Sequence, residues 1–313
     1  VRATIRRFLA GCNTQYKVVP FDHTFYQECL DIAVQRGYPV SSTKPFPVLT
    51  YLCLGALYGT TSGAHNGIYG KTTRCVATSE DDTRRAFRIW IALYTGYATF
   101  ADDIPRRCPQ EMPSLHAFHD RFVKGEKQEI TELDALADLM REVPRVFGGT
   151  VPANIAMTST LDFITATIIE AETKDMQVSP TAKRYASYHR LMSAVGKAYA
   201  IMVFSPEIPF EEYIQAMLEI ALFIANVNDV LSFYKEELAG ESTNRVGTIA
   251  ARKGISRVEA FEELADTSVE LYETILSILE DSPRACEAFK QFTVGYAAFH
   301  TTFERYQLVE VGL

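Results

Sequence analysis

What the chain lacks narrows it first. Its six cysteines (Cys12, Cys29, Cys53, Cys75, Cys108 and Cys286) are scattered, with no Cys-x-x-Cys pair and no nearby histidine. That spacing speaks against a zinc site or a disulfide framework and favours a reducing, cytoplasmic setting. Among the six histidines only His116 and His119 stand three apart, and no further ligand types lie beside them. Basic blocks are missing and the net charge is −8, so nucleic acid is excluded as an expected partner. No apolar run approaches the roughly 20 residues of a membrane span. Strand-like alternation is scarce, and neither an internal repeat nor a low-complexity tract is present. The chain starts at Val1 rather than Met, so a targeting segment is not judged from it.

What is there reads as helix. The 313 residues are 47% hydrophobic, enough for a large core. Apolar positions at helical spacing place helices over Phe21–Arg36, ending at Gly37-Tyr38-Pro39, and over Val48–Tyr58. A Gly-rich polar loop follows over Gly59–Thr78. Ser79-Glu80-Asp81-Asp82 is an acid cluster better explained as a helix start, with Ser79 capping and the acids on the positive end of the dipole. That helix runs past Trp90, Tyr94, Tyr97 and Phe100 to Asp102-Asp103, where Pro105 is expected to break it. Further helices fit Gln128–Val143, Val151–Lys174, Thr181–Val203, Phe210–Leu238, Ser256–Leu279 and Ala285–Glu310. The connections are short, so the expectation is one all-α domain over 1–313.

Three clusters carry chemistry. In the apolar stretch from Glu219 onward, Asn228, Ser232 and Glu236 fall four residues apart, which puts three side-chain oxygens on one side of a helix. Amide, hydroxyl and carboxylate oxygens suit Mg²⁺, an ion usually shared with substrate phosphates, and Lys235 offers such a phosphate a point charge. The plainer alternative is a solvated helix face. Asp102 and Asp103 sit at the negative end of a helix dipole, where a cation, or Arg106 and Arg107, would neutralise them. Near the C-terminus Arg305 and Tyr306 are suited to grip a phosphate, as is Arg190, although an arginine on a helix is commonly just a solvated face.

Together these segments resemble class I terpene cyclases, above all the trichodiene synthase type of fungal sesquiterpene synthases. The resemblance runs from about Trp90 to the C-terminus and is carried by Asp102-Asp103, Val227–Glu236, and Gly295-Tyr296 through Arg305-Tyr306. It implies a helical bundle around an apolar pocket, Mg²⁺ at the mouth, and farnesyl diphosphate cyclised to a C15 hydrocarbon or alcohol. By the same resemblance Asp102 binds Mg²⁺, and Asp103 pairs with Arg305 on closure. Asn228, Ser232 and Glu236 chelate another Mg²⁺, while Arg190, Lys235, Arg305 and Tyr306 hold the diphosphate. A homodimer is also implied. Glu170 occupies an inward position without an assigned role.

One departure stands out: where the family often has a third acid, this chain has Arg106. That residue is expected to cap the helix end or to approach the diphosphate. Trp90, Tyr94, Tyr97, Phe100, Phe233 and Phe299 could line a cation-stabilising pocket, with Tyr97 and Phe299 favoured. Asn226, polar in an apolar helix, orients a cation or a water, or bonds to backbone. Three other functions stay open. Chain-elongating prenyltransferases share the fold but resemble one another in having two Asp-rich motifs, where this chain has Asn228, Ser232 and Glu236 in the second. A non-catalytic helical binding protein would carry these polar groups on its surface, and a degenerate cyclase, suggested by Arg106, would bind prenyl diphosphate without turnover.

Overall fold

The computed structural model describes residues 1–40, 48–61, 80–147, 149–179, 181–241 and 244–313. Among the described residues thirteen α-helices carry the fold: α1 (Arg2–Gly11), α2 (His23–Gln35), α3 (Val48–Thr61), α4 (Glu80–Arg107), α5 (Met112–Lys124), α6 (Thr131–Val146), α7 (Thr150–Glu172), α8 (Tyr185–Ser193), α9 (Gly196–Val203), α10 (Met217–Leu238), α11 (Arg245–Lys253), α12 (Arg257–Ile278) and α13 (Pro283–Thr302). One-turn helices at Phe210–Glu212, Ile214–Ala216 and Glu304–Tyr306 complete the site-bearing half. No strand occurs among the described residues.

The bundle is organised on α10. Thirteen of its 22 residues are buried, including the polar Asn226, Asp229 and Ser232. By length and apolarity the segment Ile214–Leu238 could cross a membrane, but 78% of that apolar window is buried inside the protein, which marks a core helix. Helices α8, α9, α11, α12 and α13 pack around it. On the other side α3 runs antiparallel to α4 at very close range. A methyl group at Gly55 would lie 2.0 Å from the Ala92 carbonyl oxygen, so only glycine fits there. Gly196 plays the same part between α9 and α10, with its missing Cβ 2.7 Å from the Ala221 carbonyl. The five described cysteines are free thiols.

Sequence expectation and structure part at the helix ends. Pro105 does not break α4, which continues to Arg107. The proline sits in the last turn, where its missing N–H forfeits one bond and Cys108 N–H closes the turn on Ile104 O at 2.8 Å. The expected Thr181–Val203 helix is two helices, α8 and α9, separated at Val195, whose φ of 52° is left-handed. The expected Ala285–Glu310 helix ends at Thr302. Phe303 is extended, and Arg305 and Tyr306 belong to the separate turn that follows. Helices α1, α5 and α11 were not among the expected elements. Of the expected Gly59–Thr78 loop, Gly59–Thr61 is helical and the remainder, with the Ser79 cap, lies outside the described residues.

Candidate active site

The C-terminal end of α4 gives two neighbouring aspartates opposite surroundings. Adjacent helix positions are about 100° apart, so only one of them can point into the protein. Asp103 does, at 3% exposure, and is surrounded by cations. Arg106 lies 2.6 Å from it, Arg107 3.0 Å and Arg305 3.6 Å, and the Tyr51 hydroxyl donates at 2.8 Å. Burial works against its charge, but Arg305 and Arg106 outweigh burial and hold the carboxyl below its usual range. Asp102 faces the solvent of the mouth and makes no hydrogen bond or ion pair among the described residues. Although water reaches it, the concave surroundings desolvate it, and Glu170 and Asp103 add negative charge; its pKa is pushed up to about 7. The expected neutralisation by Arg106 and Arg107 therefore reaches Asp103 only. Nor does Arg106 cap the helix end as expected: its partners are Asp103 and, at 3.1 Å, Glu241 just beyond α10.

On α10 the four-residue spacing does bring the three oxygens into line. Ser232 Oγ donates to Glu236 at 2.5 Å, and Asn244, the N-cap of α11, donates to the second Glu236 oxygen at 2.7 Å. Asn228 is held on both sides of its amide. Its Nδ2 donates to His300 Nε2 at 3.2 Å, and its Oδ1 accepts from Arg190 at 3.0 Å. His300 Nδ1 donates to the Tyr296 carbonyl at 2.8 Å, which leaves Nε2 as an acceptor and fixes the amide orientation. The Tyr306 ring packs on His300 with centroids 4.4 Å apart, and burial raises its hydroxyl to about 12.

His300 is fully buried, and desolvation lowers its pKa to about 3. The unfolded chain takes up a proton near pH 6.5, whereas the folded one resists protonation. Stability contributed by neutral His300 is therefore complete above pH 6.5 and declines as pH falls towards 3, by about 1.4 kcal/mol per unit. Thermal unfolding of the wild type should drop between pH 7 and pH 5 more steeply than that of His300→Gln. Parallel curves for the two proteins would contradict this account.

The expected diphosphate-binding residues gather around the same mouth. Arg190 projects from α8 and pairs with Asp229 at 2.8 Å. Lys235 lies 3.7 Å from Glu236. Burial lowers the Lys235 ammonium; Glu236 opposes that shift, while the neighbouring Arg305 and Arg106 charges reinforce it. Cations so concentrated favour an anionic ligand. The Glu304–Tyr306 turn links the two motifs, since Arg305 reaches Asp103 and Tyr306 packs on His300, the partner of Asn228. Glu170 sits on the rim, 3.6 Å from His189, with its charge acting on Asp102.

Sequence reasoning left Asp229, Arg245, Asn244, His300, Glu241 and Tyr51 without roles. An Asn directly before an apolar periodic segment was a usable signal for the Asn244 cap. Nothing local announced the others. Asn226 bonds to neither backbone nor pocket; its Oδ1 accepts from Arg245.

Beneath the mouth lies an aromatic cluster. Tyr58 packs edge-on against Tyr296 and Phe299, with centroids 5.9 and 5.3 Å apart, and against Tyr199 at 5.1 Å. Tyr94 meets Tyr199 at 6.1 Å and stacks on Trp90 at 5.1 Å. Phe299 adjoins the site through ring contacts with His300 at 5.1 Å and Tyr306 at 5.9 Å. Tyr97 does not join it: its hydroxyl donates to Pro39 O and its ring packs on Tyr38, because its position on α4 faces the α2 end. Phe233 stacks on Phe261 of α12, and Phe100 packs on Tyr51. A cavity of about 700 Å³ near Arg88 and Gly59 lies some 14 residues up α4 from Asp102, roughly 21 Å away, and plays no part in this cluster.

The donor chemistry fits a hard cation. Among the described residues no three Asp, Glu, His or Cys side chains converge. Instead there are two sets of oxygen donors, Asp102 alone and Asn228/Ser232/Glu236 together, with Arg190 close to both and Lys235 beside Glu236. Mg²⁺ is commonly held by one or two carboxylates plus substrate phosphates, which is the pattern these donor sets would supply.

Comparison with known proteins gives the same direction. The family model described as trichodiene synthase matches residues 71–312. An alpha-cuprenene synthase of Coprinopsis cinerea is 31% identical over 311 residues, covering 99% of this chain and 90% of that protein. A longiborneol synthase of Gibberella zeae is 32% identical over 233 residues, covering 72% and 68%. Among solved structures, a linalool/nerolidol synthase of Streptomyces clavuligerus in complex with 2-fluorogeranyl diphosphate superposes with a TM-score of 0.61. It covers 95% of this chain and 97% of its own, at 15% identity, so it speaks for the fold alone.

Proposed function

The chain belongs to the trichodiene synthase family of terpene synthases, and on that premise we propose that it is a Mg²⁺-dependent sesquiterpene cyclase acting on farnesyl diphosphate. The observation that carries the proposal is the single turn, Glu304–Tyr306, set between the two motifs: Arg305 pairs with Asp103, the neighbour of Asp102, and Tyr306 packs on His300, which accepts from Asn228. One anionic group placed in the mouth would meet both motifs at once. The sesquiterpene-type names of the relatives support the C15 chain length.

In this proposal Asp102, and Asn228 with Ser232 and Glu236, would hold Mg²⁺. The ions supply charge to stabilise the departing diphosphate. Arg190, Lys235, Arg305 and Tyr306 grip the same diphosphate from the protein side, so the negative charge that develops as the allylic C–O bond breaks meets fixed donors. The cationic hydrocarbon left behind lies against Tyr58, Tyr199, Tyr296 and Phe299. Their ring faces attract it through the quadrupole, and their bulk keeps water away until cyclisation ends in proton loss or capture of one water.

The test is incubation with farnesyl diphosphate, with and without Mg²⁺, followed by gas chromatography–mass spectrometry, with geranyl diphosphate in parallel. A cyclic C15 hydrocarbon or alcohol formed only with Mg²⁺ is the expected result. Turnover of geranyl diphosphate alone would replace the substrate, and product formation in EDTA would overturn the metal dependence.

A further inference from the structure

Behind Arg190 lies a second arginine that the diphosphate site does not use. Arg245, at the start of α11, points back to α10 and is 10% exposed. Its Nη1 donates to Asn226 Oδ1 and lies 3.4 Å from Asp229 Oδ2. Arg190 approaches the same carboxylate from the α8 side, with Nη2 2.8 Å from Oδ1 and Nε 3.2 Å from Oδ2. One buried carboxylate thus stands between two guanidinium groups. Arg245 Nε and Asn226 Nδ2 are both buried donors without an acceptor.

This arrangement bears on how Arg190 can let go. A fork-shaped contact to a carboxylate and a contact to diphosphate call on the same donors, so Arg190 cannot make both fully. Were Arg190 the sole counter-ion, its departure would strand a buried charge, at the cost of breaking a buried pair. Arg245 removes that obstacle. It already touches Asp229, is anchored through Asn226 and has an unused Nε–H with which to close on the carboxylate. We infer that Arg245 is a positioning residue that neutralises Asp229 whenever Arg190 turns to the diphosphate, with Asp229 as the exchange point between them. The inference rests on the proposed role of Arg190 as a diphosphate ligand.

The experiment measures binding of inorganic pyrophosphate in the presence of Mg²⁺ by calorimetry, on the full chain, with circular dichroism to check folding. Arg190→Gln should weaken binding at least tenfold; wild-type affinity would refute the Arg190 role itself. Given that loss, Arg245→Gln should also weaken binding at least tenfold, because Asp229 now holds Arg190. Adding Asp229→Asn to Arg245→Gln should bring affinity back to within about threefold of wild type, since no carboxylate remains to compete. Wild-type binding by Arg245→Gln, or a double variant no better than the single, would overturn the inference; the second result would leave Arg245 a merely structural tie between α11 and α10. Should Arg245→Gln alone fail to fold, Asp229→Asn and Asp229→Asn/Arg245→Gln carry the test. The two should bind pyrophosphate equally, and any dependence on residue 245 in that background would count against it.

Discussion

Replacing Asn228 and Ser232 together by alanine is expected to lower turnover of farnesyl diphosphate at least about 100-fold while the protein still folds. Two of three oxygens in the proposed metal triad disappear, and a single Glu236 carboxylate, already bonded to Asn244, is left. Removing a preorganised group aimed at developing charge typically costs about 10²–10³ in rate. The stability cost is smaller but real. Without Asn228, His300 Nε2 loses its donor at a fully buried position, a penalty of about 1–3 kcal/mol. Arg190 keeps Asp229, and Glu236 keeps Asn244, so neither is stranded. Kinetics should be run below the unfolding midpoint, with Mg²⁺ titrated. A folded double variant that turns over normally, at an unchanged Mg²⁺ requirement, would return these residues to an ordinary helix face.

The helices that position this site were legible because their signals are local. α10 announces itself by an uninterrupted apolar stretch, and α12 by Ser256 and Glu259, which form the reciprocal cap seen in the structure. Breaks were less legible. A left-handed valine at 195 has no sequence signature, since β-branched residues avoid positive φ and adopt it only when the surrounding packing demands it. Here Gly196, pressed on Ala221, and the Arg190 side of α8 impose different directions on the chain within six residues. Pro105 misled for the opposite reason. A breaker was recognised, but its distance from the helix end decided its effect.

The site was legible to the extent that it repeats at helical spacing. Asn228, Ser232 and Glu236 needed nothing beyond counting by fours. What counting could not supply is which groups face them from other elements. Arg245 follows Glu236 by nine residues but approaches from α11 on the far side of α10. Tyr51 and Arg305 reach Asp103 from opposite ends of the chain. The departure at Arg106 illustrates the same limit: it was expected to cap the helix end or to approach the diphosphate, yet it joins Asp103 to Glu241 and so ties the end of α4 to the end of α10.

Asp102 and Asp103, adjacent in sequence, should fail in different ways when changed to asparagine. Asp103→Asn removes the carboxylate that three arginines share. Breaking a buried pair costs about 3–5 kcal/mol, but Arg106 is half exposed and the other two arginines are partly so, which trims the loss to about 2–3 kcal/mol. At about 1.5 °C per kcal/mol for a chain of 313 residues, the unfolding midpoint should fall by roughly 3–5 °C. Asp102→Asn should cut turnover about 100-fold or more with no such fall. Because the folded-state pKa of Asp102 is raised to about 7, the folded chain holds its proton where the unfolded chain has released it. The Asp102 contribution to metal-free stability therefore declines as pH rises from 4 towards 7, opposite in sign to that of His300, so Asp102→Asn should gain stability with pH more steeply than the wild type over that range. Activity compared below both midpoints should rank Asp103→Asn above Asp102→Asn. The reverse ranking would mean that the metal-facing carboxylate is Asp103, and that the arginines around it move aside when the ion arrives.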